Sequence, residues 1–150
     1  MANADSVGQF TLDSFSNGRL GVVRATTLNT AGNAVITIPI LSGGLTNGGG
    51  VANSGGIIVR RVTIQNGSGN VSNANVSISV TSDGANLITA NTVLTAMSTT
   101  GRYADLNAAA PYTSNVVSGS VTQCLYVNVN AIANNANTVD ICVYGDVVSF

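Results

Sequence analysis

The stretch Asn75 to Val80 reads NVSISV, with Val76, Ile78 and Val80 on one parity and Ser77 and Ser79 on the other. A period of two is the mark of a strand with one buried face, and a helix does not present it. The same alternation recurs in Ala34 to Leu41, where Ile36, Ile38 and Ile40 share a side. Further strand-like runs occupy Gly8 to Leu12, Leu20 to Ala25, Ile57 to Gln65, Val121 to Ile132 and Val139 to Val148. Asn17-Gly18, Asn47-Gly48, Asn66-Gly67 and Asp83-Gly84 supply residues that tolerate positive φ, so each marks a turn. Short runs spaced this way predict an all-β chain, an antiparallel β-sandwich of jelly-roll-like kind. Alternation sends Ile36, Ile38, Val62, Ile64, Val76, Ile78, Val127 and Val143 into its core and leaves Ser77 and Ser79 facing out. Pro39 has no N–H for a ladder, so its strand lies at an edge or ends there.

The charged residues push the same way. All five basic residues are Arg and all six acidic ones are Asp, so Lys and Glu, which solubilise exposed helix faces, are absent. Charged residues make up 7% of the chain against 45% hydrophobic, the balance being Asn, Thr, Ser and Gly. Such low charge gives little self-repulsion and suits a protein packed against copies of itself or another surface. A net charge of −1 with dispersed Arg offers no basic stripe for a phosphate backbone, which argues against nucleic acid as a partner. No apolar run reaches the ~18 residues of a membrane span, and the first residues do not resemble a secretory signal, so the chain is expected to be made in a cytoplasm and to need no membrane.

A chain of 150 residues accommodates one sandwich with an extended arm: residues 1–19 as the arm and 20–150 as the single domain. The arm holds Val7, Phe10, Leu12 and Phe15, too few for a core of their own and spaced for a short strand. It is expected to gain order on another sheet edge or in a groove, which makes these four candidate interface residues. Leu41 to Gly56, LSGGLTNGGGVANSGG, lacks the Gly-Lys-Ser/Thr ending of a phosphate-binding loop and reads as a second attachment segment. Asn86 to Met97 fits a short strand followed by a helical turn or by another strand, and Ala104 to Gly119 reads as a surface excursion.

In IIVRRVTI, Ile57 to Ile64, the inward parity holds on both sides only if one Arg is extra, which is how a β-bulge reads in sequence. Arg60 and Arg61 then have two uses: pairing with Asp within the domain, or reaching a neighbouring subunit as planar fork donors.

Cys124-Leu125-Tyr126 and Cys142-Val143-Tyr144 repeat one phrase in neighbouring runs. Pairing these runs as a hairpin over Asn134-Asn135, aliphatic opposite aliphatic, places Cys124 opposite Cys142 or Tyr144. With no His or Glu in the chain, two thiols make a poor metal site and lack a base for nucleophilic chemistry. The face is therefore expected to be a covered one bearing unbridged thiols, with no metal and no cofactor. General acid–base chemistry would fall to Asp alone, so no enzyme is expected. The sequons at Asn66, Asn70 and Asn75 follow from a composition rich in Asn and Ser.

VRRVTIQN (Val59 to Asn66), NVSISVTSDGANLITANTVLTAM (Asn75 to Met97) and LYVNVNAIANNANTVDICVYGD (Leu125 to Asp146) resemble, in order and spacing, small all-β virion proteins of tailed bacteriophages. The likeness is to proteins of marine and cyanobacterial phages, head decoration or cement proteins among them. It covers roughly Gly56 to Asp146 and carries no functional residue over. It implies a jelly-roll-like sandwich on the capsid exterior, with the major capsid protein and copies of itself, as a homotrimer, for partners. The expected function is to bridge neighbouring capsomers through many weak contacts, and the alternative is a tail or fibre module recognising a host surface glycan.

Overall fold

The computed structural model describes residues 18–40, 55–109, 117–118 and 124–149. They form β1 (Gly18–Thr27), β2 (Gly32–Pro39), β3 (Gly55–Gln65), β4 (Asn75–Ser79), β5 (Thr92–Val93), β6 (Tyr103–Asp105), β7 (Val117–Ser118), β8 (Cys124–Ala131) and β9 (Thr138–Ser149), with no helix among the described residues. The first sheet runs β1-β9-β3-β6, with β7 also on β3, and the second runs β2-β8-β4-β5. Every ladder is antiparallel, and the pairing is nested: β1 with β9, β2 with β8, β3 with β6 and β4 with β5. The chain is thus a β-sandwich, as alternation predicts.

Between the sheets lie Ile38, Val62, Ile64, Val76, Ile78, Val127 and Val143, each at most 1% exposed. Burying a side chain of this size contributes about 2 kcal/mol, which a core of this extent repeats often enough to need no disulfide. Ile36 is half-buried and packs against the rim of that core. β2 is an edge strand that ends at Pro39, where the missing N–H costs no ladder bond.

Several expectations are corrected. Most important, β8 and β9 do not form a hairpin: β8 pairs with β2 and β4, β9 with β1 and β3. The chain crosses from one sheet to the other through residues 132–137, an arch whose Asn134 has φ 61°. Both arrangements turn the aliphatic parity inward, so alternation does not separate them. Ala104 to Gly119 is not wholly a surface excursion, because β6 pairs with β3 and Ala104 and Leu106 are buried. In Asn86 to Met97 the second strand is β5, and Leu94 and Met97 are core. Ser77 and Ser79 do point away from the core yet are at most 1% exposed, under a hydrogen-bonded layer. The run Gly8 to Leu12 lies outside the described residues.

That layer shows how the first strands are locked to the last. On β1, Arg24 and Ala25 together oppose Asp140, and Ala25 takes φ 50°. Its N–H donates to Asp140 Oδ1 at 2.8 Å. On β2, Asn33 to Val35 oppose Asn128, Ala34 takes φ 52°, and its N–H donates to Asn128 Oδ1 at 3.0 Å. In both sheets, then, a bulged alanine in the left-handed region is held by the side chain facing the bulge. Asp140 also accepts from Asn66 Nδ2 at 2.8 Å and lies 3.7 Å from Arg24 Nη1. Asn128 instead donates to Ser79 Oγ at 3.1 Å and sits beside Ser77 Oγ at 3.5 Å. A carboxylate suits the first position because every neighbour donates, and an amide suits the second because it must both accept and donate.

The arch end of the sandwich is knit together. Ala133 N donates to Leu28 O at 2.8 Å, Ser68 N to Thr138 O at 2.9 Å, and Asn135 and Asn137 both donate to Asn70 O. At the opposite end the strands adjoin the predicted attachment segments. β1 begins at Gly18, within the predicted arm; Ile40 precedes residues 41–54; and β3 begins at Gly55, beside Ser149.

Candidate functional site

β3 carries the bulge that its sequence predicts. Val59 pairs with Gly145 and Arg61 with Tyr144, leaving Arg60 as the extra residue. On the other flank of β9, Leu20 is extra between Arg19, opposite Tyr144, and Gly21, opposite Val143. Two bulges so close on either side of one strand bend the sheet sharply there. Gly145 permits the bend: a Cβ at that position would collide with Ile58 O and lie 2.9 Å from Leu20 Cδ1.

Both arginines are paired within the domain. Arg60 Nε donates to Asp146 Oδ2 at 2.9 Å, and Arg61 forms a fork on Asp105, Nε to Oδ1 at 2.6 Å and Nη2 to Oδ2 at 3.2 Å. The side chains are 41% exposed in the first pair and 50% in the second, so neither pair adds more than about 1 kcal/mol to stability. Each arginine thus has an aspartate partner within the domain. Val7, Phe10, Leu12 and Phe15 lie outside the described residues, as does Leu41 to Gly56 apart from Gly55 and Gly56.

Arg61 also stands over the ring of Tyr103, 5.5 Å from its centroid. Register aligns Cys142, Thr63 and Asp105 in one row across the outer face of this sheet, with Tyr144 and Arg61 in the row on one side and Gln65 and Tyr103 in the row on the other. From its row Gln65 reaches Cys142 Sγ at 2.9 Å and Tyr144 OH at 3.4 Å. Thr63, in the middle, is 1% exposed and its Oγ1 has no hydrogen-bond partner. Beside the bulge a cleft of about 370 Å³ opens, with Val59, Val62, Ile88, Leu106 and Ala108 for apolar walls and Arg60, Arg61, Thr89 and Asp105 for polar ones.

The cysteines do not share a face, because the arch puts them in different sheets. Cys142 is 2% exposed on the outer side of the first sheet, whereas Cys124 is half-buried on the outer side of the second, opposite Pro39. Both are free thiols, as expected. Beside Cys124, Tyr126 has its phenol pushed above the ordinary value, first by a hydrogen bond to the thiol and then by charge repulsion from it. Asp140 is shifted the other way: the bonds from Asn66 and Ala25 hold its carboxyl below the usual value, more than offsetting burial. Among the described residues no group of three or more His, Cys, Asp or Glu is placed to hold a metal ion.

The sequence pointed to Arg60 and Arg61 but not to Tyr103, Asp105, Gln65 and Thr63. The only signal for Tyr103 and Asp105 was the parity of Tyr103-Ala104-Asp105, polar on either side of a small inward residue, over a strand of three residues, whereas Thr63 and Gln65 fall on the outward parity of the run Ile57 to Gln65. Comparison of the chain with protein-family models, with curated proteins and with solved structures finds no match.

Proposed function

We propose that this chain is a non-enzymatic structural protein of a tailed-phage virion, decorating or cementing the capsid exterior by bridging neighbouring capsomers. Its sandwich is read as a jelly roll, and the nested order of strand pairs supports that reading. The observation that carries the functional proposal is the polarity of the domain. One end is closed by backbone and asparagine hydrogen bonds, while the arm and the glycine-rich segment both join the sandwich at the other, through Gly18, Ile40 and Gly55. Two segments unlike a core in composition, entering at one end, suit a domain that stands on a lattice and grips it from below. The partners on this reading are the major capsid protein and two further copies of the chain, with contacts that are individually weak and summed by symmetry.

Quantitative mass spectrometry of purified particles tests the proposal by copy number. Hundreds of copies per particle are expected. A handful would move the protein to the tail or a fibre, and none would remove it from the virion. Deleting residues 1–16 should abolish binding to particles that lack the protein while leaving the thermal transition of the sandwich in place.

A further inference from the structure

We propose that the arm of one copy docks on the flank between β1 and β2 of a neighbouring copy, so that the chains hold one another by exchanged arms. The proposal rests on the reading of the arm as an attachment segment and names a second copy of the chain as what it holds. On this flank the edge strands β1 and β2 leave the sandwich ajar. The sheets meet at the Gly21–Ile40 bridge, so closely that a Cβ on Gly21 would collide with Pro39 O, and fully buried Leu28 seals the other end. Between these points Val23, Val35 and Ile36 pack against the core yet stay half-buried. Register turns Val23 towards the core opposite Ile141, and Ile36 opposite Val127, so their exposure marks a gap at the edge and not an outward face.

Charge, composition and reach identify the occupant. Arg19 is exposed and belongs to none of the ion pairs among the described residues, and Arg24, the other charge on β1, is 60% exposed and 3.7 Å from Asp140. The described residues hold five arginines against four aspartates, and the two remaining aspartates, Asp5 and Asp13, both lie in the arm, which before Gly18 has no basic residue. The positive surplus thus sits on the strand that borders the gap, and the matching negative charge sits on the segment whose Val7, Phe10, Leu12 and Phe15 lack a core of their own. The 17 residues before Gly18 can span about 55 Å, more than the roughly 33 Å of a ten-residue strand such as β1. Gly18 is already a ladder partner of Gly145, at the end opposite the arch, so covering its own flank would require the chain to reverse before β1, whereas a neighbour's flank requires no reversal. Bulges at Leu20 and at Arg24–Ala25 break the free edge of β1, so side chains seated in the gap hold the arm, not a continued ladder. One arm and one flank per copy make the contact heterologous, and it closes when the copies form a ring, as in a trimer. Loss of the arm then abolishes particle binding by removing the multivalency on which weak contacts depend.

Sedimentation equilibrium of the full chain without particles tests the proposal. The wild type should form a closed oligomer, and the chain lacking residues 1–16 should be a monomer. Val35→Lys, which places a charge in the gap, should also be a monomer with its thermal transition retained, and mixing it with the arm-deleted chain, whose flank is intact, should restore a one-to-one complex. Arg19→Asp and Asp13→Arg should each weaken association about tenfold, and the double variant should recover it. A monomeric wild type overturns the proposal, and a fall in its thermal transition on arm deletion would then place the arm on its own flank. Oligomers that survive arm deletion overturn it too, as does a failure of the double charge reversal to recover what the single ones lose. All these outcomes concern the chain alone, so their failure leaves the copy number on particles, and the proposed function with it, to be decided separately.

Discussion

Replacing Asn128 with Asp tests whether the two bulge clamps are matched to their surroundings. The change is isosteric and touches one atom. In the native protein Asn128 is 2% exposed, its Oδ1 accepting from Ala34 N–H and its Nδ2 donating to Ser79 Oγ. Ser79 cannot answer a second acceptor, since its own hydroxyl already donates to Thr81 O at 2.8 Å. A carboxylate at 128 would therefore turn lone pairs against lone pairs. None of the ion pairs among the described residues lies on β8, so the new charge would be buried without a cation. Losing one hydrogen bond costs about 1 kcal/mol and leaving buried acceptors unmatched about 2 more, so Asn128→Asp should be less stable than wild type by about 3 kcal/mol at pH 7. Burial raises the folded-state pKa of such a carboxyl above its unfolded value of ~3.9. Below that value both states are protonated, the acid can donate to Ser79, and the deficit should shrink to about 1 kcal/mol. It grows as pH rises through the unfolded pKa towards the folded one. Urea denaturation of wild type, Asn128→Asp and Asn128→Ala at pH 3, 5 and 7 measures this, the alanine variant giving a deficit independent of pH. A deficit for Asn128→Asp under 1 kcal/mol at pH 7, or one that does not fall on acidification, would refute the reasoning.

Asp140 should show the opposite sign: its carboxyl is held below the unfolded value, so its stabilisation is present above that value and lost as pH falls through the folded pKa. The Asp140→Asn variant should accordingly have a flatter acid limb in a plot of stability against pH, its deficit against wild type closing as pH falls. Cys124, half-buried, should react with a small alkylating reagent in the native protein, whereas Cys142 should react only on unfolding, and mass spectrometry of partly labelled protein distinguishes them. Gly145→Ala should lower stability by about 3 kcal/mol, read from the urea midpoint, because Ile58 O and Leu20 leave no room for a methyl group between the two bulges.

What the sequence carried, and what it did not, divides by range. Alternation is a local property, and it assigned Val76, Ile78, Val127 and Val143 to the core and exposed the bulge at Arg60, because an extra residue breaks parity within a single strand. Partners are not local. Arg61 meets Asp105 across 44 residues and Ala25 meets Asp140 across 115, distances over which spacing carries no information. The left-handed alanines were invisible for a related reason. A residue with positive φ is expected to be Gly or Asn, as Gly84, Asn66, Asn86 and Asn134 are, whereas at Ala25 and Ala34 the conformation is held by a side chain on another strand.

The same limit explains the misplaced hairpin, and its correction changes what the repeated Cys-x-Tyr phrase means. In a hairpin the two phrases would line one face; across an arch they face away from each other on opposite outer surfaces. Each half of the phrase then acquires different neighbours. Cys142 and Tyr144 are drawn into the lattice around Thr63 by Gln65, while Cys124 and Tyr126 have mainly each other. The nested order imposes this asymmetry. β8 and β9 follow the other described strands in chain order and each sits inside its sheet, between strands that precede it, so neither sheet is complete until both are in place. Closing such long-range pairs costs chain entropy before any contact offsets it. The side-chain clamps fall where that cost is greatest, Asp140 on the β1–β9 ladder and Asn128 on the β2–β8 ladder. Asp140 shares the outer face of the first sheet with Cys142, and Asn128 that of the second with Cys124 and Tyr126, so each long-range ladder is clamped from the side away from the core that holds the sheets together.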